Sequence, residues 1–229
     1  MDKLSTVKKG GKTLVSVRAY KGDAMTLLAM SIDESIIKNF TGFSIRVTPP
    51  GRPPFFLFNR FTYEEEVLRK NGFDPKDKNV TLTNFSPLQI FRWVHTPNTN
   101  HNINEMIFGN YKYEITPRYL VNDILQELDS SLTVSFGFDI HPYQSKDIQI
   151  GFTRGFIESQ AYTRHFGSNN KTRPNKTDLI FDITARSGPL ATDQKKNPLL
   201  QDYTFEVQHK WLGWQARERI KEMLEETLN

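Results

Sequence analysis

Apolar and polar residues alternate with period two through much of the chain as far as Phe152, the signature of half-buried strands. In GFSIRVTPP (42–50), Phe43, Ile45 and Val47 fall on one side and Ser44 and Arg46 on the other. Leu14–Val17 begins an earlier strand, and Ala24–Ile32 (AMTLLAMSI) is an apolar run without a helical stripe. FFLFNRF (55–61) reads as a fully buried strand, entered through PPGRPP, a turn or polyproline link because proline cannot donate to a ladder. PLQIFRWVHTP (87–97) sets Gln89, Phe91 and Trp93 against Ile90, Arg92 and Val94. YKYEI (111–115) alternates again and is expected to end at Pro117, while LTVSF (132–136) and residues 147–152 supply two more strands. Two stretches break the pattern. YEEEVLRK (63–70) predicts one or two helical turns ended by Asn71-Gly72, and RYLVNDILQELD (118–129), with Leu120, Ile124 and Leu128 at spacing four, predicts a helix.

Seven or eight short strands separated by Pro-, Gly- and Asn-rich turns predict a mainly β fold. The expected architecture is an antiparallel β-sandwich of fibronectin-III or immunoglobulin type with inserted short helices, spanning residues 11–152, with Trp93 on a central strand between the sheets. The strand–crossover–strand rhythm of a parallel α/β sheet is missing from this stretch. Residues 1–10 read as a flexible tail. Residues 153–209 read as a joint and polar linker, with short strands at 179–183 and 203–207 between the turn-rich stretches 168–177 and 187–198. The end, WLGWQARERIKEMLEETL (211–228), is an amphipathic helix whose stripe of Trp211, Ala216, Ile220, Met223, Leu224 and Leu228 calls for a partner surface; it is expected to dock, within 210–229, on a catalytic domain or another subunit.

Composition narrows the chemistry. Of 229 residues 37% are hydrophobic and 12% aromatic, enough apolar material to fill a sizeable core and to exclude global disorder. There is no cysteine, so disulfides, thiolate metal sites and a thiol nucleophile are excluded. No run approaches the ~20 apolar residues that span a bilayer, and the basic start MDKLSTVKKGGK lacks the apolar core of a signal peptide, so a cytoplasmic, bacterial-type protein without a transmembrane segment is expected. A net charge of +4 permits a nucleic-acid partner without requiring one.

The five histidines, His95, His101, His141, His165 and His209, form no i,i+4 pair and no H-E-x-x-H motif, and no cofactor or metal is called from them. Gly10-Gly11-Lys12-Thr13 ends like a phosphate loop but lacks its first glycine and preceding strand. Asp182 followed by Glu206-Val207-Gln208, each on an expected strand, has the layout of a metal-dependent nuclease, in which an acid and a Glu-x-Gln lie on neighbouring strands around a divalent ion. The densest polar stretch is GFTRGFIESQAYTRHFG (151–167). Wound as a helix it aligns Arg154, Glu158 and Tyr162 on one face, with Ser159 and Gln160 free to hold a neighbouring backbone. A general acid–base role for His165 is weighed against a structural joint, and the joint is the reading adopted, with Arg154, Glu158, Ser159, Gln160, Tyr162 and Trp211 as its anchors.

The succession GFSIRVTPPG, FFLFNRFTY, SPLQIFRWVHTP, YKYEITP, GFTRGFIESQAYTRHFG and KWLGWQARERI resembles the β-rich N-terminal region of bacterial phospholipase D-like proteins across nearly its full length. Thr153 stands where that group would have Asn, and Gly213-Trp214 departs from its usual Ser-Arg. Phospholipase D-type phosphodiester chemistry uses His-x-Lys-x-x-x-x-Asp, and none of the five histidines has Lys two places on. The resemblance therefore implies a non-catalytic scaffold or recognition domain, partnered by a phospholipase D-type catalytic domain or another subunit through the last helix. The alternatives are a stand-alone metal-dependent nuclease using Asp182, Glu206 and Gln208, and a module that binds nucleic acid or a protein partner through Arg and Lys on the sandwich face.

Overall fold

The computed structural model describes residues 2–59, 61–97 and 107–142, together with 204, 206–208, 220 and 223–227. The chain divides into two compact units, one of residues 1–96 and 108–141, the other of 97–107 and 142–229. The first unit is mainly β and holds two antiparallel sheets. In one, β1 (Lys3–Lys9), β2 (Lys12–Lys21) and β3 (Thr26–Ile32) form a meander, and β6 (Arg92–His95) pairs beyond β3. In the other, β4 (Phe40–Thr48) lies between β5 (Phe55–Phe56) and β7 (Gly109–Val121). The long β7 also pairs with β9 (Val134–Ile140) and, at its end, with the two-residue β8 (Ile124–Leu125).

Both sheets turn alternate residues onto one core. Val15, Val17, Ala19, Leu28 and Met30 come from the first, and Phe43, Ile45, Val47, Tyr111, Tyr113, Ile115 and Phe136 from the second. Trp93 packs on this core from β6, which stands at the end of its sheet rather than at its centre. Period two located β4 and the first half of β7, because a strand with one face in a core must alternate, while β2 and β3 fall at the expected strand start and the apolar run.

The tail expected over residues 1–10 is instead a strand. Thr6 and Val7 suit a ladder, and Gly10 and Gly11, with φ of 57° and 79°, form the two-residue turn that sends the chain back as β2. The lysines of KLSTVKK are the charged dressing of an edge strand. The predicted helix at 118–129 is likewise overturned. β7 runs to Val121, Asn122 and Asp123 both take positive φ (50° and 63°), and the chain turns into β8. Asn and Asp tolerate that left-handed pair, and the spacing of Leu120, Ile124 and Leu128 is not a helical stripe. Asn71, closing α1 (Glu65–Lys70), holds the hairpin: its Nδ2 donates to Asp123 O at 2.7 Å and its Oδ1 accepts from Leu125 N at 2.7 Å.

Pro117 does not end its strand. It stands opposite Phe43, whose own N–H and C=O turn away to Leu88 (2.9 and 2.8 Å), and the ladder to β9 stops at Ile115, so the missing N–H falls where no bond is made. The buried strand expected at 55–61 is shorter. Only Phe55 and Phe56 pair with β4, after which Leu57 donates to Ile45 O and the chain folds over the core end. There Thr83 Oγ1 accepts from Ile45 N and donates to Ile45 O (3.0 and 3.1 Å), a side chain standing in for a strand. Asn59 Nδ2 ties down Ser86 O and Pro87 O. The crossing of Leu88 over β4 explains Gly42. With φ of 140°, an added Cβ would press on the Leu88 carbonyl.

Candidate functional site

The joint residues Arg154, Glu158, Ser159, Gln160, Tyr162 and Trp211 lie outside the described residues, as do His165 and Asp182. Glu206 and Gln208 are described, and they do not lie on the expected strand. Residues 206–208 are helical, with Gln208 N donating to Thr204 O at 3.2 Å and Val207 N to Thr204 Oγ1 at 3.3 Å. Positions two apart on a helix point roughly 200° from one another, whereas on a strand they would share a face. Gln208 is buried and Glu206 half-buried. The strand placement of Glu206 and Gln208 is thus overturned, while Asp182 lies outside the described residues.

Three other polar arrangements stand out in the first unit. His95, at the end of β6, is completely buried, and its Nδ1 lies 2.6 Å from Tyr113 Oη. The imidazole meets the rings of Tyr111 and Tyr113 edge-on, at 5.4 and 5.5 Å between centroids. Burial drives the His95 pKa from 6.5 down to about 3 and pushes both tyrosines up, Tyr113 further raised by Tyr111. All three are neutral near pH 7, and with His95 fully buried the cluster is a hydrogen-bonded element of the core.

Arg118 is the second. Only 5% exposed, it donates to Asn84 O and Gln126 O, both at 2.7 Å, and so fastens two loops to the end of β7. Burial pulls its pKa down, opposed by the neighbouring Tyr63 and Glu127. The rest of this sheet settles its charge internally. Glu114 receives Arg46 at 3.1 Å and Lys112 at 3.2 Å, and Asn110 Nδ2 donates to Asp139 at 3.0 Å.

The third is the outer face of the first sheet. Its strands carry no carboxylate at all. Their charged side chains are Lys3, Lys8 and Lys9 of β1, Lys12, Arg18 and Lys21 of β2, and Arg92 of β6. Lys3 and Lys21 stand in register with the inward Ala19 and Thr26, and Lys3 Nζ donates to Gly137 O at 3.0 Å, so these two lie off the outer face. The cross-strand register sets the solvent-facing residues in rows: Thr6–Ser16–Ser31, then Leu4–Arg18–Ala29–Arg92, then Tyr20–Leu27–Val94. Arg18 and Arg92 are exposed, and among the described residues neither makes an ion pair. Lys12 is held by Asp33 at 2.8 Å in the turn after β3; two bonds from Ser35 assist Lys12 in lowering the Asp33 pKa to about 2.

In the second unit, Ile220, Met223 and Leu224 are 57%, 60% and 55% exposed, and residues 223–227 are helical. No helix among the described residues is long and apolar enough to cross a membrane. No family model, no curated protein and no solved structure matches the chain. Sequence reading weighed His95 only as a metal ligand and singled out none of Arg118, Arg18 and Arg92. For the arginines a signal existed: four strands without Asp or Glu in a chain with nearly balanced charge. For His95 only alternation with Trp93 pointed inward.

Proposed function

We propose that the chain is a recognition or scaffold domain with no catalytic residues of its own, built on an immunoglobulin- or fibronectin-III-like sandwich and working beside a phospholipase D-type catalytic domain. Strand order supports the sandwich. Consecutive β3 and β4 lie in opposite sheets, as do β6 and β7, while β3 pairs with β6 and β4 with β7. This is the interlock of strands B, C, E and F in immunoglobulin-type domains. β2 then takes the place of A, β9 that of G, and β1 is an addition at the edge.

The observation that carries the functional reading is the exposed apolar face of Ile220, Met223 and Leu224. An amphipathic helix that leaves its apolar stripe more than half in water has a partner to meet. The succession of segments that resembles phospholipase D-like proteins supplies the identity of that partner. The test is the reading frame after Asn229 and its product. A following domain with two His-x-Lys-x-x-x-x-Asp motifs is expected, and expressed separately it should bind this chain. Met223→Lys with Leu224→Lys should weaken that binding at least about tenfold, since two buried apolar side chains are worth more than 1.4 kcal/mol. A frame without the motifs, or binding indifferent to the two lysines, overturns the reading.

A further inference from the structure

We propose that the outer face of the first sheet binds the sugar–phosphate backbone of single-stranded nucleic acid. The inference deepens the recognition reading by naming a partner, but it stands on a different surface and fails separately. Its ground is charge complementarity joined to chemistry. Every ionic side chain in β1, β2, β3 and β6 is cationic, and the carboxylates next in sequence to β1, β2 and β3 (Asp2, Asp23, Asp33 and Glu34) sit in the flanking turns and terminus, with Asp33 already engaged by Lys12. Arg18 and Arg92 share one cross-strand row with Ala29 between them. Two strand spacings put their Cα atoms about 10 Å apart, within reach of separate phosphates for such long side chains.

The row beside them, Thr6–Ser16–Ser31, is all hydroxyl, the neutral donor that accompanies arginine on phosphate oxygens. The row on the other side begins with half-buried Tyr20, an aromatic edge for a base. A four-strand face does not enter the groove of a duplex, which takes a helix or a two-stranded ribbon, whereas a single strand can lie across it. An anionic membrane would draw on exposed apolar side chains in the middle of the face. Here the exposed Leu4 and Val94 stand on the two outermost strands, and the middle strands present Ser16, Ser31 and Arg18 beside only Ala29, Leu27 and Tyr20, none of them an exposed large apolar side chain.

The test is fluorescence anisotropy of a labelled oligothymidine titrated with the whole chain at about 50 and about 200 mM salt. Binding that weakens with salt is expected. Arg18→Glu with Arg92→Glu should weaken it at least about tenfold and reduce the salt slope by roughly 1.4, at about 0.7 for each single-strand phosphate no longer neutralised. Arg52→Glu with Lys76→Glu changes net charge equally on the β4–β5 link and the loop after α1, and should change affinity less than about twofold. Matching thermal melts confirm that both pairs fold. Equal weakening by both pairs overturns the proposal, because net charge alone then explains binding. Absence of oligothymidine binding overturns it as well, and capture by phosphatidylserine vesicles in that case assigns the face to membrane.

Discussion

In the second sheet Glu114 sits between Arg46 and Lys112, and Asn110 holds Asp139, whereas in the first sheet no strand carries a carboxylate and Arg18 and Arg92 face water. Both sheets contribute apolar side chains to the same core, so stability does not require the difference. A surface that neutralises itself has little call on outside charge, while one that leaves like charges together raises its own energy until a counter-charge arrives. The contrast extends to the backbone. The second sheet is clamped by Leu88 crossing β4 and by Arg118 gathering two loops, but the first closes its β1–β2 hairpin on Gly10-Gly11 with nothing packed beside either glycine.

Equivalent substitutions in the two sheets should therefore have unequal effects. Gly42→Ala meets both a positive φ and the Leu88 carbonyl, and should lower unfolding free energy by about 3 kcal/mol or more. Gly11→Ala, also at positive φ but in open space, should lose only about 1 kcal/mol. Urea titration of the two variants checks this, and similar losses would remove the claimed clamp.

Acid tests the place where the sheets meet. His95 comes from the first and Tyr113 from the second, and the imidazole is neutral when folded. Its folded pKa, about 3, lies below the ordinary 6.5, so the unfolded chain binds the extra proton. The contribution is complete above pH 6.5 and is lost as pH falls from there towards 3, about 3 kcal/mol being gone by pH 4. Denaturant titrations between pH 7 and pH 4 should show this limb, and His95→Phe should flatten it. An unchanged limb would place its source elsewhere.

Smaller effects probe the charges themselves. Glu114→Gln strands Arg46 and Lys112, both partly exposed, and should lose about 0.5–1 kcal/mol, less in added salt. Arg18→Glu should leave stability within about 0.5 kcal/mol, as expected for an exposed side chain without a partner in the fold. Thermal melts at two salt concentrations distinguish the pair. A large destabilisation from Arg18→Glu would show that the cationic face is part of the fold's own stabilisation.

Local pattern carried far into the fold where one physical cause dominated. Alternation exposed β4 because burying one face of a strand leaves little choice of residue, and β3 showed as an apolar run. Asn71-Gly72 marked the end of α1, with Gly72 at φ of 76°. Where two causes compete, the pattern misled. Lysine-rich KLSTVKK resembles a solvated tail, and solvation is indeed what an edge strand needs; only the partner strand β2 shows that it is ordered. RYLVNDILQELD has helical spacing, but Asn-Asp at the centre favours a tight turn, and pairing of Arg118 and Tyr119 with β4 decides for the strand. Glu206 and Gln208 were placed on a strand by alternation over too few residues to separate it from a single helical turn.

By itself the sequence determined the mainly β class, the apolar supply for one core and the absence of thiol chemistry, since these follow from residue types and their spacing. Tertiary structure alone decided which strands are neighbours, that His95 is enclosed by Tyr111 and Tyr113, and that Arg18 and Arg92, more than seventy positions apart in the chain, share a row across Ala29. The reason is that a strand fixes only which side its residues face. Which charges stand together on that side depends on the register with other strands, and register is set by the whole core packing at once.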